Sequence, residues 1–286
     1  MFAETFHFNT GDLPVFTCHE CLEEHQAHSE MSHLHEDIEI VSVLKGNIDC
    51  KTGEERFNLK KGDICFINKH HLHALYQTGE DSSHRILIIG SGLLKKIPSV
   101  YNKYIKVFLE DSGFSHVRFT GRDSHAAEIN NYINVMEELK KNEEPGYELE
   151  MLSIIYKILW HLYIAYVSGS ATRPPDNNLL IQEQMMEFIY EHFDEPLTLD
   201  EIAEAGNISR SQCSKLFKKY SGMSPISFLN HHRLELSRDM LRSTDNSIAD
   251  ISLSCGFSDQ SYYNRLFRKE YGCTPLEYRK SAIRDI

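Results

Sequence analysis

The sequence predicts an α+β protein with two domains, a β-barrel followed by an all-helical domain. Short runs rich in β-branched and aromatic residues, separated by turn residues, fill residues 1–93. From residue 126 onward apolar residues recur at helical spacing, and small residues, Pro and Asn interrupt that pattern at 168–178. A length of 286 residues suits two domains. We therefore predict a barrel domain at 1–167, a linker at 168–178 and a helical domain at 179–286.

Composition and charge exclude several classes of protein. With 41% hydrophobic and 25% charged residues, the chain has an ordinary globular composition. It contains no apolar run long enough to span a membrane and does not begin like a secretory signal, so we expect a cytoplasmic protein. Seven cysteines without regular spacing suggest reduced thiols. The net charge of −12 argues against a nucleic-acid partner. The acidity is concentrated in the first part of the chain, however: 17 basic and 26 acidic residues precede residue 179, whereas 13 basic and 16 acidic residues follow, so the second part is far less acidic.

In the first domain, strands are predicted at 38–44, 46–50, 64–67 and 86–89, and two helices at 126–139 and 149–167. The apolar stripes of these helices have two interpretations. They could pack against the barrel, or they could form the interface of a homodimer, and each helix has enough apolar edges for both. We expect a homodimer that pairs through this hairpin. The stripes are Ile129, Ile133 and Met136 on the first helix, and Leu152, Leu159 and Leu162 on the second.

The second domain contains an internal repeat. The segment Lys215–Pro225 recurs fifty residues later as Arg265–Pro275, with five of eleven positions identical. Two copies are too few for a solenoid, so a duplicated helical module is the better interpretation. Each copy fits a helix-turn-helix, with helices at 198–205 and 209–220 in the first copy, and at 247–254 and 258–271 in the second. A long helix at 225–241 joins them.

The second helix of each module carries basic, hydroxyl and amide residues opposite its apolar face. Arg pairs with guanine edges, Gln and Asn pair with adenine edges, and nearby Lys and Arg contact phosphates. An ordinary helical bundle would explain one such face as solvated surface, but the same pattern at matching places in both copies indicates double-stranded DNA as the partner. The candidate residues are Ser211, Gln212, Lys215, Lys218, Gln260, Ser261, Asn264, Arg265 and Arg268.

Residues 179–282 closely resemble the AraC/XylS family of transcription regulators. The most recognisable stretch is Cys255–Lys269, followed by Gly272, Thr274-Pro275 and Tyr278-Arg279. The resemblance implies a DNA-binding regulator, expected to be an activator and not an enzyme. It also implies base contacts by two groups of four residues, and a phosphate contact by Arg233. The groups are Ser211, Gln212, Ser214 and Lys215, and Gln260, Ser261, Asn264 and Arg265. Many members have a larger residue in place of Ser211, which suggests weaker readout by the first module.

Two segments of the first domain resemble cupin motifs. His33–Glu39, followed by Gly46, matches the first motif without a gap. Gly62–His73 approximates the second, although Asn68 replaces the usual Pro and His70 the usual Gly. The resemblance implies a jelly-roll barrel in which His33, His35, Glu39 and His73 line one pocket.

Two occupants of this pocket remain open. We favour a small-molecule effector, expected to be a carbohydrate, that hydrogen-bonds to these four side chains. The alternative is a divalent transition metal such as Zn, Fe, Mn or Ni, for which three imidazoles and a carboxylate are suitable ligands. The metal would make the chain a metal-responsive regulator or a metal-dependent cupin enzyme. The Cys18–Cys21 pair has no second pair downstream, so we do not assign it a zinc or redox role.

Overall fold

The computed structural model describes residues 13–19, 32–77, 82–169 and 176–282. The chain divides between Asn177 and Asn178 into two compact units, each of which is described by itself. The predicted α+β class is confirmed, because both sheets belong to the first unit and the second is helical. Among the described residues, no helix combines the length and the apolar character needed to cross a membrane.

Two antiparallel sheets form the body of the first unit. The five-stranded sheet has the order β1-β7-β2-β5-β8, and the three-stranded sheet has the order β4-β3-β6. The strands are β1 (Val15–His19), β2 (Ile38–Lys45), β3 (Asn47–Thr52), β4 (Glu55–Lys60), β5 (Ile64–Ile67), β6 (His73–Gln77), β7 (Ser83–Ile89) and β8 (His116–Phe119). The four predicted strands correspond to β2, β3, β5 and β7, whereas β1, β4, β6 and β8 were not predicted.

Side-chain alternation along the strands builds three layers. On β2, Ile38 and Ile40 face the helices, whereas Val41 and Val43 face the three-stranded sheet. Strands β5 and β7 alternate in the same way, because successive side chains of a strand point to opposite faces. The five-stranded sheet is therefore buried on both faces. Glu39 lies in phase with Val41 and so points between the two sheets, where the candidate pocket was predicted.

The helices of the first unit cover the outer face of this sheet. They are α1 (Ser91–Leu94), α2 (Pro98–Val100), a π-helical turn (Tyr101–Ile105), α3 (Lys106–Leu109), α4 (Ser124–Asn142) and α5 (Tyr147–Val167). The predicted hairpin of α4 and α5 is present. Its stripes are not an interface, however: Ile129, Ile133, Met136, Leu159 and Leu162 are all at most 3% exposed in the core of the unit. Leu152 is partly buried against the same core. The packing interpretation is therefore the correct one for these residues.

The second unit consists of α6 (Asn177–Glu191), α7 (Leu199–Ala205), α8 (Arg210–Tyr220), α9 (Pro225–Ser243), α10 (Ile248–Ser254), α11 (Gln260–Tyr271) and α12 (Pro275–Ala282). Thr198 and Glu201 form the predicted capping box of α7, and Ser224 caps α9 with Pro225 at the first helical position. The N-cap of α11 is Asp259 and not Ser258, so this helix begins one residue later than predicted.

Candidate functional site

The four predicted pocket residues lie together between the two sheets. His33 and His35 belong to the segment before β2, Glu39 lies on β2, and His73 begins β6. One nitrogen of each imidazole and one carboxylate oxygen of Glu39 all lie within 4.8 Å of one another. Exposure of the four residues is between 1% and 5%. We refer to this cluster as the His-Glu centre.

Backbone pairing brings the centre together. The amide of His33 donates to the His73 carbonyl at 2.9 Å, and the amide of His73 donates back at 3.0 Å. The His70 amide, at a positive φ of 58°, donates to the carbonyl of His35 at 2.8 Å. His33 pairs with His73 in an isolated β-bridge, whereas His35 is in no strand or bridge. Their convergence depends on this clamp by the 70–73 segment.

The hydrogen bonds of two imidazoles fix which nitrogen faces Glu39. The Nδ1 of His35 lies 2.8 Å from the Asp37 carbonyl oxygen, and the Nδ1 of His73 lies 2.8 Å from that of His71. A carbonyl oxygen only accepts, so Nδ1 carries the proton in both rings. The Nε2 atoms lie 3.2 and 3.3 Å from Oε2 of Glu39. The Nε2 atoms of both imidazoles therefore face the same carboxylate oxygen.

Charge in the centre is distributed in a way that favours a cation. Burial raises the pKa of Glu39, but His73 and His35 outweigh it and hold that pKa well below its usual value, so the carboxylate is ionised. Burial and the neighbouring His33 lower the pKa of His73 to about 4, against a partial opposing effect of Glu39. An anion and a neutral imidazole thus share a buried space, where uncompensated charge is costly.

The dimensions of the centre suit a metal ion. Bonds of about 2.0–2.1 Å to nitrogen and oxygen place neighbouring ligand atoms roughly 3.3–3.4 Å apart in tetrahedral geometry, and the Nε2–Oε2 distances of 3.2 and 3.3 Å are close to that spacing. Nδ1 donation to a backbone carbonyl is the usual support of a metal-bound imidazole. The other oxygen of Glu39, Oε1, is buried and has no hydrogen-bond partner among the described residues. The residues present therefore fit a transition metal.

A second polar group between the sheets was missed by the sequence analysis. Nδ1 of His116 lies 3.0 Å from the Thr52 hydroxyl, and its Nε2 lies 3.3 Å from the Glu55 carboxylate. In the strand registers Thr52 pairs with His73, and Glu39 and His116 both pair with Ile67, so this group borders the His-Glu centre. These residues belong to no motif, and only strand register could have revealed them.

The predicted DNA-contacting side chains lie on the outer faces of α8 and α11, which we call the recognition helices. Their inner faces are buried through Cys213, Phe217, Tyr263 and Phe267. Eight of the predicted residues are exposed, and Ser214 and Asn264 are half-buried. The exposed ones are Ser211, Gln212, Lys215, Lys218, Gln260, Ser261, Arg265 and Arg268.

Two further contacts that the sequence analysis missed position α11. The guanidinium of Arg265 lies 5.3 Å from the ring centroid of Tyr262, whose hydroxyl accepts a hydrogen bond from Asn230 of α9 at 3.1 Å. His231, also on α9, lies 3.4 Å from the Glu270 carboxylate of α11 and 3.3 Å from Glu235. The aromatic and charged residues could be noticed in the sequence, but their pairing required the packing of α9 on α11.

The charges around His231 stabilise one another. Burial lowers the pKa of His231, but the carboxylates of Glu235 and Glu270 outweigh it and raise that pKa to about 10. Burial raises the pKa of Glu235, and the neighbouring His231 more than compensates, lowering it to about 2. The imidazolium therefore bridges two carboxylates, one on α9 and one on α11, at neutral pH.

The structure places Arg233 differently from its expected phosphate-contacting position. Its side chain is buried, with 7% exposure, and donates to the carbonyls of Phe193 and Glu195 at 2.6 and 2.7 Å. A Cβ on Gly256 would lie 3.0 Å from its Nε. Arg233 therefore links α9 to the segment after α6 and to the turn of the second module.

The cysteines fall into two groups. Cys18 is disulfide-bonded, which corrects the expectation of a reduced thiol for that residue, and Cys21 lies outside the described residues. The other five are free. Burial raises the pKa of Cys213 to about 11, which agrees with a packing role on the inner face of α8.

Comparison with known families assigns a description to both units. The AraC-like ligand binding domain matches residues 16–159, and a helix-turn-helix domain matches residues 202–281. The first match covers the sheets and most of the hairpin, including the His-Glu centre. The second covers both recognition helices.

Similar proteins are transcription regulators by name. The uncharacterized HTH-type transcriptional regulator YdeC of Bacillus subtilis is 25% identical over 252 residues, covering 87% of this chain and 85% of the relative. The HTH-type transcriptional activator RhaS of an Enterobacter species is 25% identical over 255 residues, covering 87% of each. The crystal structure of ToxT from Vibrio cholerae shares the fold, with a TM-score of 0.52 at 12% identity over 93% of this chain and 97% of ToxT.

Proposed function

Because this chain belongs to the AraC family of DNA-binding transcription regulators, we propose that it activates transcription from promoters that it binds through both recognition helices. The observation that carries this proposal is the pair of exposed polar faces at matching positions of α8 and α11. The name of the RhaS relatives supports activation over repression. The chain is a regulator and not an enzyme, and a regulator of a chromosome is expected to act in the cytoplasm.

The proposed contacts divide into two chemical kinds. Gln212, Lys215, Gln260 and Arg265 are placed to contact base edges, as are the smaller Ser211, Ser214, Ser261 and Asn264. Lys218 and Arg268, one turn further along each helix, are placed for phosphates. The Lys218 ammonium also donates to the carbonyl of Gly222 at 3.0 Å, which holds it near the end of α8. Arg233 is not included among the DNA contacts, because its guanidinium is buried.

DNA binding is tested on the full chain with promoter fragments from the genes next to its own. We expect sequence-specific binding that weakens steeply with salt, because phosphate contacts release counterions. Residues 179–286 alone are expected to fold and bind more weakly. A folded full chain that binds every fragment equally would contradict sequence-specific regulation.

We further propose that the His-Glu centre holds a divalent transition metal and that the metal is part of the signal. The supporting observation is that Nε2 of His35 and Nε2 of His73 both approach the same oxygen of Glu39, while both imidazoles are held through Nδ1. When bound, the metal would supply a Lewis-acidic position for an oxygen-bearing effector. His33, His35, Glu39 and His73 would hold it, and the backbone clamp of residues 70–73 would orient the two imidazoles.

Metal content tests this proposal directly. Chain purified without chelator is expected to carry about one Zn, Fe, Mn or Ni per chain by elemental analysis, and His35→Ala is expected to lose it. His116→Ala is the matched control, because His116 is an equally buried imidazole outside the centre. Wild-type chain that stays metal-free after incubation with each of these ions would contradict the metal and leave the direct effector pocket.

The carbohydrate effector and the homodimer remain proposals from the family resemblance. The four side chains of the centre are nearly inaccessible, so a sugar would require the barrel to open or would need to bind through the metal. Sugars are therefore tested for an effect on promoter affinity with and without chelator. An effect that chelator abolishes supports binding through the metal, whereas a persistent effect supports direct hydrogen bonding. Sedimentation of the full chain tests the homodimer.

A further inference from the structure

A cleft of about 380 Å³ opens on the helical side of the first unit, between α5 and the segment from α2 to the π-helical turn. It shares no side chain with the His-Glu centre. Its lining combines buried or half-buried aliphatic residues with aromatic rings that are half-buried or exposed. The lining residues are Val100, Tyr104, Ile105, Tyr156, Leu159, Trp160 and Tyr163.

The aromatic lining is ordered and faces one way. Tyr156, Trp160 and Tyr163 recur at helical spacing on α5, so they share one face of the helix. The rings of Tyr104 and Tyr163 meet edge to face with centroids 5.5 Å apart. Trp160 is 54% exposed and Tyr104 is 39% exposed, although large aromatic side chains are normally buried more deeply. These rings offer flat apolar surfaces that a planar molecule could cover.

The opposite wall comes from an unusual backbone. Tyr104 and Ile105 belong to the π-helical turn Tyr101–Ile105, which separates α2 from α3. Single π-helical turns are rare and occur frequently at functional sites. Here the turn places a tyrosine ring and an aliphatic side chain at the cleft.

A cation lies next to Tyr104, one of the rings that line the cleft. The Lys103 ammonium lies 4.9 Å from the ring centroid of Tyr104, and the Lys103 side chain is exposed. Lys106, three residues later, pairs instead with Glu110 at 3.5 Å. An occupant whose ring covers the aromatic lining and whose negative group meets Lys103 would be complementary to both features.

We propose that this cleft binds a flat aromatic carboxylate, with its ring against the aromatic lining and its carboxylate on Lys103. The volume falls within the range of roughly 300–1,000 Å³ that is typical of small-molecule sites, and an apolar lining with a few polar groups is their usual composition. The cleft is a site distinct from the barrel centre. Binding there is measurable without DNA or metal, so its failure is distinguishable from a failure of the proposed function.

The single tryptophan of the chain makes the test direct, because Trp160 lines the cleft. The full chain is titrated with 2-naphthoate and, separately, with its neutral analogue 2-naphthalenemethanol, and tryptophan emission is followed. We expect saturable quenching by both probes, with the carboxylate binding about tenfold tighter. Isothermal titration calorimetry on the same samples checks the affinities.

Two pairs of variants locate the probe. Val100→Phe fills the cleft and is expected to weaken 2-naphthoate at least tenfold, whereas Val107→Phe adds the same ring at an exposed position outside the lining. Lys103→Gln is expected to lower affinity for 2-naphthoate about tenfold and leave the neutral analogue unchanged. Lys106→Gln is the matched control for lost charge. If circular dichroism shows that Val100→Phe does not fold, the comparison of Lys103→Gln with Lys106→Gln tests the proposal.

Three results would overturn the proposal. One is the absence of saturable quenching by 2-naphthoate, and another is equal loss of affinity in Lys103→Gln and Lys106→Gln. The third is a tryptophan emission that changes with protein concentration alone while sedimentation shows a dimer. That outcome would make the cleft a contact between two copies of the chain.

Discussion

In the first module α8 packs on α9 through the rings of Phe217 and Phe228, whose centroids lie 5.7 Å apart. In the second module polar links join α11 to the same helix. Asn230 donates to the hydroxyl of Tyr262, and His231 lies 3.4 Å from the Glu270 carboxylate. Aromatic packing tolerates small rotations, whereas hydrogen bonds and ion pairs fix an orientation. The second recognition helix is therefore the more firmly oriented of the two.

The turns that precede the two recognition helices also differ, and again the second is the more constrained. Asn207 and Gly256 occupy equivalent positions, with positive φ values of 51° and 79°. Only the second requires glycine, because a Cβ at Gly256 would lie 2.4 Å from the carbonyl oxygen of Phe193. The second turn also contains one more residue and ends in a charged N-cap, Asp259, in place of Ser209. A duplicated sequence pattern has thus received different structural support in its two copies.

The largest expected effect comes from the residue that joins the second module to α9. Arg233→Ala would leave the carbonyls of Phe193 and Glu195 without their donor, and we expect it to lower the free energy of unfolding by about 2–4 kcal/mol. Urea unfolding of the full chain measures this loss. Arg242→Ala, an exposed arginine of the same helix, is the control and should change stability little.

Arg233→Ala also decides between two roles of the same residue. The variant could keep its stability, bind all DNA sequences more weakly by the same factor, and show a salt dependence reduced by about one phosphate contact. That result would support the phosphate contact that the family resemblance implies. A stability loss that Arg242→Ala does not share would support the positioning role.

The equivalent basic residues Lys215 and Arg265 test which module contacts bases more specifically. Arg265 is stacked on Tyr262, so we expect Arg265→Ala to cost about 1–3 kcal/mol at one base pair and to relax specificity there. Lys215→Ala is expected to cost less and to affect sequences more evenly. Binding to a panel of single-base operator variants measures both. A greater loss of specificity in Lys215→Ala would reverse the comparison between the modules.

The sequence predicted the helical unit well because its signals are local. Hydroxyl N-caps, Pro225 after Ser224 and apolar residues at helical spacing act within one or two turns, so they are legible without tertiary structure. Two boundaries shifted: α9 ends at Ser243, two residues later than predicted, and α11 begins one residue later, because two adjacent residues could each cap it. Arg233 was expected to contact phosphate but is buried in the structure, because an arginine in the sequence does not reveal whether its guanidinium is buried or exposed.

In the first unit, half of the strands that the structure describes were not predicted. Strand β4 places Phe57 and Leu59 between the sheets but alternates them with polar residues, a weak signal in six residues. The His-Glu centre was found because its spacing matches a motif, whereas Thr52 and His116 meet only through strand register. The stripe of Ile129, Ile133 and Met136 has the same periodicity whether it meets a sheet or a second chain. Only the structure shows that it meets the sheet.

The ion pairs of His231 predict a pH dependence confined to the second module. The folded-state pKa of about 10 lies above the ordinary value of 6.5, so the stabilisation is complete below about pH 6.5 and is lost as pH rises toward 10. Glu235 acts in the opposite direction, since its pKa of about 2 makes its contribution disappear only as pH falls below 4.5. We expect the full chain to lose about 1–2 kcal/mol of stability between pH 6.5 and 9.5 through this group.

The control for this dependence is His231→Gln, which removes the titrating group and keeps a polar side chain of similar size. Thermal unfolding of both proteins across this pH range should show a steeper decline in the wild type. Parallel curves would mean that His231 is not protonated in the folded chain and does not brace α11 by charge.

The smallest expected effects come from two serines at equivalent positions, Ser211 on α8 and Ser261 on α11, which are both exposed. Replacing each by Ala deletes the same hydroxyl group. The two variants therefore differ only in the helix that carries the deleted hydroxyl. A hydroxyl on a firmly oriented helix meets its base or phosphate partner at good geometry, and we expect Ser261→Ala to cost about 1 kcal/mol of DNA binding. On the less firmly oriented α8, ordering the hydroxyl costs more conformational entropy. Ser211→Ala should therefore cost less than about 0.5 kcal/mol of DNA binding. Competition binding on one operator measures both variants against wild type.

Because Asn230 acts on α11 through Tyr262, Asn230→Ala should reduce the cost of Ser261→Ala and leave that of Ser211→Ala unchanged. Equal costs for the two serines, unaffected by Asn230→Ala, would mean that the polar links from α9 do not set DNA readout.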